Sequence, residues 1–327
     1  MSKFIGVITH PAFLWSVGSL LAMGLSFWVV AYVIASRIVY KKTMIRPSTE
    51  AWGRDKPSDT EDVNTVTMFN EGMAWAKENA HRKVDLHIVN NGFNLYGEYY
   101  DFGSDKCAFI LSGRTEALSY GYYFAKPYSD CGYNILVVDP RAHGKSDGIY
   151  NTMGFEESKD DIAWVNYITE RFNLKTVIFH GICIGAAGGI LALTSENAPS
   201  VVKGIVCEGM FANFYESFKN HLIERKKPVF IMMDLINGQA KKHTGYSMKY
   251  GPINCIDKLD RPLLMLHSKE DTYSTPPFAE KLYEKAGSQD KKLVWFEKGR
   301  HSMLRITDTE RYDLEVKEFA NKIAKLD

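Results

Sequence analysis

A short apolar run, Thr176 to Phe179, leads into His180-Gly181-Ile182-Cys183-Ile184-Gly185-Ala186-Ala187-Gly188-Gly189 and then into the helix-like stretch Ile190 to Leu193. A strand that turns into a helix across Gly-x-Cys-x-Gly has little geometric freedom. The turn holds its central residue in a strained, outward conformation, and the flanking positions are glycine because a side chain there would strike the neighbouring backbone. Cys183 is therefore predicted to be presented, not packed. A free cysteine is more commonly a small buried hydrophobe, and Gly-x-x-x-Gly spacing also serves close helix packing, so the segment needs support from the rest of the chain.

That support comes from two later strand-like runs. Asp271 lies just beyond Pro262-Leu263-Leu264-Met265-Leu266, in His267-Ser268-Lys269-Glu270-Asp271-Thr272. His301 follows Lys292-Leu293-Val294-Trp295-Phe296, in Gly299-Arg300-His301-Ser302. Cysteine, carboxylate and imidazole each sit where a strand ends, the edge of an open α/β sheet at which ligands gather.

A chain of 327 residues fits one α/β domain with an appendage. The net charge of +1 supplies no field for nucleic acid, and no basic stripe is interleaved with aromatics, so nucleic acid is excluded as a partner. The five cysteines (Cys107, Cys131, Cys183, Cys207, Cys255) are an odd number without a Cys-x-x-Cys pair, which argues against a disulfide framework or zinc knot and for reduced thiols.

From Pro11 to Ser36 no residue is charged. As a helix, residues 12–35 span roughly 36 Å, enough to cross a hydrocarbon layer of about 30 Å, with Trp15, Trp28 and Tyr32 as interfacial anchors. The competing reading is a cleaved secretory signal ending near Val33-Ile34-Ala35, for which the apolar run is long. Only Lys3 precedes the span, whereas Arg37, Lys41, Lys42 and Arg46 follow it, so the positive-inside rule places the remainder of the chain in the cytoplasm. The opposite topology stays open, because short N-termini are also retained inside.

The chain thus divides into an N-terminal anchor (1–42), a linker and leading helix (43–82) and an α/β domain (83–327). Thr43 to Val63 is rich in Pro, Gly and Ser among charges and reads as a linker. Val66 to Asn79 is a helix, with Met68, Met73 and Trp75 on its apolar side, packed on the sheet edge. Lys83 to Val89 and Phe93 to Tyr99 flank Asn90-Asn91-Gly92, a hairpin signal. Strands at Cys107–Leu111, Tyr133–Val138, Val177–His180, Val202–Cys207, Pro262–Leu266 and Leu293–Phe296 then alternate with helices at Ala117–Tyr128, Asp161–Phe172 and Arg311–Leu326, which predicts a mainly parallel sheet covered on both faces. An excursion at about 211–255 is too long for an ordinary loop and carries Phe211, Phe214, Tyr215 and Phe218 at helical spacing. It reads as a helical lid, against the alternative of an inserted structural hairpin.

Over roughly Lys83 to Lys325 the chain resembles the α/β-hydrolase superfamily, specifically esterase-like members grouped with the serine aminopeptidase domain. The carriers are Gly181-Ile182-Cys183-Ile184-Gly185, which looks like the family's nucleophile elbow with cysteine for serine, and Asp139-Pro140-Arg141-Ala142-His143-Gly144-Lys145-Ser146, which looks like its Asp-x-Arg-Gly-His-Gly-x-Ser brace with alanine for one glycine. Nucleophile, acid and histidine also arrive in the family's order. The resemblance implies an α/β-hydrolase fold, a Cys183-His301-Asp271 triad with Glu270 as a competitor for the acid, a structural His143, and backbone donors at Ile184 and Arg114 for the oxyanion. Leu111-Ser112-Gly113-Arg114 occupies the place of the family's His-Gly-x loop.

Cysteine at the nucleophile position has a precedent in the superfamily's dienelactone hydrolases, and both the helix dipole and an imidazolium stabilise a thiolate there. The resemblance implies acyl transfer from a small-molecule carboxylic ester or thioester, with Phe211, Phe214 and Phe218 of the lid against an apolar acyl group. A peptidase is the enzymatic alternative. A membrane-tethered binding protein, a lapsed enzyme and an engineered substitution are the others. His180 and His267 read as core histidines, no ligand cluster supports a metal, and the glycine spacing at Gly185, Gly188 and Gly189 does not fit a dinucleotide loop, so no cofactor is expected.

Overall fold

The computed structural model describes residues 11–46 and 62–326. Lys3 and most of the 43–63 linker lie outside the described residues. Helix α1 (Pro11–Met44) precedes α2 (Val63–Glu78), which is capped by the Asp62 carboxylate on Asn64 and Thr65 N–H. Eight strands follow: β1 (Lys83–Asn90), β2 (Phe93–Tyr100), β3 (Lys106–Leu111), β4 (Asn134–Val138), β5 (Thr176–Ile182), β6 (Val202–Glu208), β7 (Leu263–Ser268) and β8 (Lys291–Phe296). They form one sheet in the order β1-β2-β4-β3-β5-β6-β7-β8. The β1–β2 and β2–β4 pairs are antiparallel and the others parallel. The protein has the α/β-hydrolase fold.

Local sequence explains these elements. The β1–β2 hairpin turns on Asn91 and Gly92, both left-handed (φ 48° and 80°), as a two-residue turn matched to strand twist demands. The inner strands β4, β5 and β7 are buried along their whole length, the mark of parallel strands covered on both faces. On one face Phe109, Leu136 and Phe179 meet α3 (Phe155–Phe172), α4 (Ile184–Leu193) and α7 (Pro276–Lys285). On the other, Ala108, Ile110 and Ile178 meet α8 (Thr309–Ile323) and the segment around Tyr122 to Phe124.

Three expectations change. The helix read over Ala117–Tyr128 is broken into Leu118–Gly121, a 3-10 turn at Tyr122–Phe124 and Lys126–Ser129, since Pro127 has no N–H to continue the ladder. Helix α3 starts six residues before Asp161, because the Glu157 carboxylate accepts the Gly154 N–H and starts the helix on a polar stretch that carries no apolar period. Helix α2 packs on the 118–124 segment through Phe69, Gly72, Trp75 and Ala76, where an added Cβ at Gly72 would meet the Tyr123 backbone at 2.8 Å, and Trp75 also meets Tyr100 of β2 at 4.9 Å; Met73, expected on the apolar side, is exposed.

The excursion between β6 and β7 consists of α5 (Phe214–Glu224), α6 (Met232–Thr244) and short turns up to β7. Helix α1 is long and apolar enough to cross a membrane by length and composition. Its first half is exposed, whereas Ser36, Tyr40 and Met44, four residues apart, are buried against α6. Helix α1 is thus not separate from the domain: its last turns share a hydrophobic core with the excursion between β6 and β7.

Candidate active site

Cys183 sits between β5 and α4 at φ 52°, ψ −106°, a backbone state that costs roughly 1–3 kcal/mol for a non-glycine residue and persists only when its surroundings enforce it. They do. The Cys183 N–H donates to the Glu208 carbonyl at 2.9 Å. A Cβ on Gly181 would lie 2.3 Å from Ala186 Cα, and one on Gly185 would lie 2.1 Å from the Leu111 carbonyl oxygen. Both glycines are therefore required by the turn, and Cys183 is left partly exposed on the wall of a cavity of about 210 Å³.

Asp271 and His301, at the ends of β7 and β8, come together on the same cavity. His301 Nδ1 lies 2.8 Å from Asp271 Oδ2, and the imidazole shares the cavity wall with Cys183. The other Asp271 oxygen accepts the Tyr273 and Ser274 N–H groups, each at 2.8 Å. Burial alone would lift the Asp271 carboxyl, but His301 and these donors hold it below the usual carboxylate range. Burial likewise works against a charged His301, yet Cys183 and Asp271 raise it well above its ordinary value. Glu270 turns elsewhere: its Oε2 accepts the Gly299 N–H at 3.1 Å, which braces the loop carrying His301.

The loop after β3 is positioned from below. Its Gly113 N–H donates to Glu116 Oε2 (2.8 Å) and its Thr115 N–H to His143 Nε2 (3.1 Å). The Arg114 N–H between them has no acceptor among the described residues. Ile184 opens α4, so its N–H is one of the helix-start donors without an intrahelical partner. His143 is buried and pushed down to about 4, chiefly by burial, so it stays neutral, with Nδ1–H on the Arg141 carbonyl (2.8 Å) and Nε2 accepting from Thr115. Ala142, at φ 62°, takes the left-handed state that the brace's usual glycine would adopt more cheaply.

The cavity is mainly apolar, with Met68, Phe69, Phe124, Phe214, Phe218 and Met303 facing it and Arg114, Glu116 and His221 among its polar members. Of the three aromatics expected in a lid, Phe214 and Phe218 line it, stacked at 5.7 Å. Phe211 does not: it is buried behind them, edge-on to Phe214 at 5.5 Å, because it precedes α5 and points into the core shared with α1. Sequence reasoning expected α2 but missed its place on the cavity wall, to which it contributes Thr65, Met68 and Phe69, and it missed His221, held between Phe218 and Tyr273 and pushed down to about 4 chiefly by burial. Only the i, i+3 relation of Phe218 to His221 could have signalled the latter.

His180 and His267 are buried off the cavity. His180 Nδ1 meets Tyr128 Oη (2.8 Å) and Nε2 meets Tyr312 Oη (3.0 Å); Tyr312 donates its proton to Glu208 Oε2 (2.6 Å), so His180 must donate from Nε2 and accept at Nδ1. Glu208 Oε1 in turn accepts the Leu304 N–H (3.1 Å). Among the described residues no group of three His, Cys, Asp or Glu side chains could hold a metal ion.

Comparison with known proteins follows the same lines. A family model for the α/β hydrolase fold matches residues 109–249, and one for serine aminopeptidase, S33, matches residues 234–309. The uncharacterized protein YqkD of Bacillus subtilis strain 168 is 28% identical over 220 residues, 66% of this chain and 70% of that protein. The lysophosphatidylserine lipase ABHD12 of Danio rerio is 24% identical over 176 residues, 51% of this chain and 43% of that protein, so this chain spans less than half of it. Among solved structures, the Pyrococcus furiosus esterase Pf2001 superposes with a TM-score of 0.63 at 21% identity, covering 76% of this chain and 93% of its own. Est1E of Butyrivibrio proteoclasticus superposes at 0.59 and 17%, covering 73% and 99%.

Proposed function

Because this chain is a hydrolase of the α/β-hydrolase superfamily, we propose that it is a membrane-anchored esterase or thioesterase that transfers the acyl group of its substrate to Cys183. The observation that carries the reading is the Asp271–His301 hydrogen bond on the same apolar cavity that Cys183 lines. The Cys183 sulfur attacks the acyl carbon while His301 holds the thiol proton, and the Ile184 and Arg114 N–H groups receive the charge that builds on the carbonyl oxygen. His301 gives its proton to the departing alkoxide or thiolate. It then takes a proton from water, which attacks the thioacyl carbon; the acid leaves and Cys183 recovers its proton. Asp271 fixes the Nδ1–H tautomer and balances the imidazolium throughout.

An apolar cavity favours an apolar acyl chain. A lysophospholipid ester, the substrate class named for the Danio rerio relative, is compatible with that wall. The aminopeptidase reading is weaker, since recognising a free α-amino group calls for an available carboxylate. The cavity offers Glu116, whose Oε2 already holds Gly113. In this reading helix α1 is the anchor, and the excess of basic residues after it favours a catalytic domain on the cytoplasmic side.

The test is Cys183→Ala on the purified full chain, with iodoacetamide labelling mapped by mass spectrometry. Ester turnover should vanish while the unfolding midpoint is kept, because the Cys183 side chain is presented to the cavity, and the parent protein should be alkylated at Cys183. Retained turnover would overturn the covalent mechanism.

A further inference from the structure

The tip that joins α5 to α6 reads Ile223-Glu224-Arg225-Lys226-Lys227-Pro228-Val229-Phe230-Ile231. Phe230 is 80% exposed, and Ile223 and Ile231 are about half exposed. Arg225, Lys226 and Lys227 are exposed and form no ion pair among the described residues. Ile231 also holds φ 60°, an uncommon state for a β-branched residue. Large apolar side chains at a loop tip beside a basic triplet are the makings of an interfacial contact: the apolar groups enter the acyl boundary and the cations stay among headgroups.

The position of the tip relative to α1 identifies the occupant. His243, near the C-terminal end of α6, stacks on Tyr40, near the C-terminal end of α1, at 5.4 Å. At 1.5 Å per residue the stretch from His243 back to Met232 covers roughly 16 Å. Measured back along α1 from Tyr40, the same distance ends near Val29. The burial of α1 agrees: Tyr32, Ala35 and Val39 pack with Met232, Met233, Ile236 and Ala240, and above Ala31 every α1 side chain that is described is exposed. The two helices therefore run parallel, and α6 begins where the bare, uncharged part of α1 ends.

We propose that the tip at Arg225 to Ile231 is a second membrane contact, seated in the same lipid surface that α1 crosses, with Phe230 and Ile231 in the acyl boundary and Arg225, Lys226 and Lys227 at the level of anionic headgroups. The proposal rests on the reading of α1 as a membrane span. Phe214 and Phe218 of the cavity wall lie on the helix that runs into this tip, so the lid that covers Cys183 is itself seated on the bilayer. An ester dissolved in that leaflet then has a short route to the cavity.

The experiment places a photo-crosslinking side chain in the full chain, reconstituted in nanodiscs of phosphatidylcholine and phosphatidylglycerol. The variants are Phe230→p-benzoylphenylalanine, the same replacement at Trp28 within the span, and the same at exposed Val89 in the β1–β2 hairpin. Irradiation should attach phospholipid at positions 230 and 28 in yields within a few-fold of each other, and give at least tenfold less at 89. Lipid adducts at 28 without any at 230, equal yields at 230 and 89, or a protein–protein adduct at 230 would each overturn the proposal. Failure at 28 as well would overturn the reading of α1 and the proposal with it.

Discussion

The Arg114 guanidinium donates to the carbonyl of Thr43 at 2.9 Å, tying the loop beside Cys183 to the last turn of α1. Next to this contact, Arg46 donates to the Ser146 carbonyl at 2.9 Å, and Ile45 pairs with Tyr150. The end of α1 is therefore part of the folded domain, and the position of a truncation matters. Deleting residues 1–30 removes exposed helix and should leave the urea midpoint of the domain, in detergent, almost unchanged. Deleting residues 1–46 removes buried Tyr40 and Met44, each worth roughly 2–3 kcal/mol of burial, and should consume a large share of a typical domain's stability. Equal midpoints for the two truncations would show that α1 is a mere tether.

Neighbouring carboxylates divide two tasks. Asp271→Asn keeps the shape but allows the wrong His301 tautomer, and should lower kcat by about 10⁴-fold. Glu270→Gln retains a carbonyl oxygen for Gly299 N–H and should cost less than about tenfold. Steady-state kinetics on one ester substrate checks both. Reversed severity would move the acid to Glu270.

How far these features were legible in the sequence follows from their range. The turn at Cys183, the hairpin at Asn91-Gly92 and the buried strands are written in residues a few positions apart, where glycine and apolar periodicity are decisive. The placements of Asp271 and His301 at strand ends were also readable, because each follows an apolar run. Contacts set by distant segments were not. The Met68 and Phe69 wall depends on how α2 crosses the Tyr122 to Phe124 turn, and the packing of Tyr40 on His243 joins segments two hundred positions apart. Phe211 shares the aromatic spacing of Phe214 and Phe218, yet it precedes the helix, so periodicity alone assigned it to the wrong surface.

The buried histidine network makes stability fall in weak acid. His180 is fully buried and pushed down to about 3 by burial, with Arg305 adding to the effect. Its folded value lies below the unfolded value near 6.5, so as pH drops through 6.5 the unfolded chain binds a proton that the folded chain refuses. The penalty grows at about 1.4 kcal/mol per pH unit and reaches roughly 2 kcal/mol at pH 5. His301, raised, contributes its full stabilisation below 6.5 and is flat across this window, and Asp271, lowered, loses its contribution only below the usual carboxylate range. Unfolding free energies from urea titrations between pH 6.5 and 5 should therefore be steeper in the parent than in His180→Gln by about one proton. Parallel slopes would mean that His180 is charged in the folded state.

The lid aromatics separate an acyl site from ordinary core. Phe214 and Phe218 stack at 5.7 Å on the cavity wall, and Phe211 is buried behind them. An acyl chain lying on that wall buries methylenes worth about 0.8 kcal/mol each, so a long chain has more to lose than a short one when the wall is removed. The double variant Phe214→Ala/Phe218→Ala should lower kcat/KM for an octanoate ester at least tenfold more than for an acetate ester. Phe211→Ala leaves the wall in place and should act on stability instead, costing about 3–5 kcal/mol with the octanoate-to-acetate ratio unchanged. Equal losses on both esters in the double variant would make the stack a packing feature and put the acyl chain elsewhere in the cavity, against Met68, Phe69 and Met303.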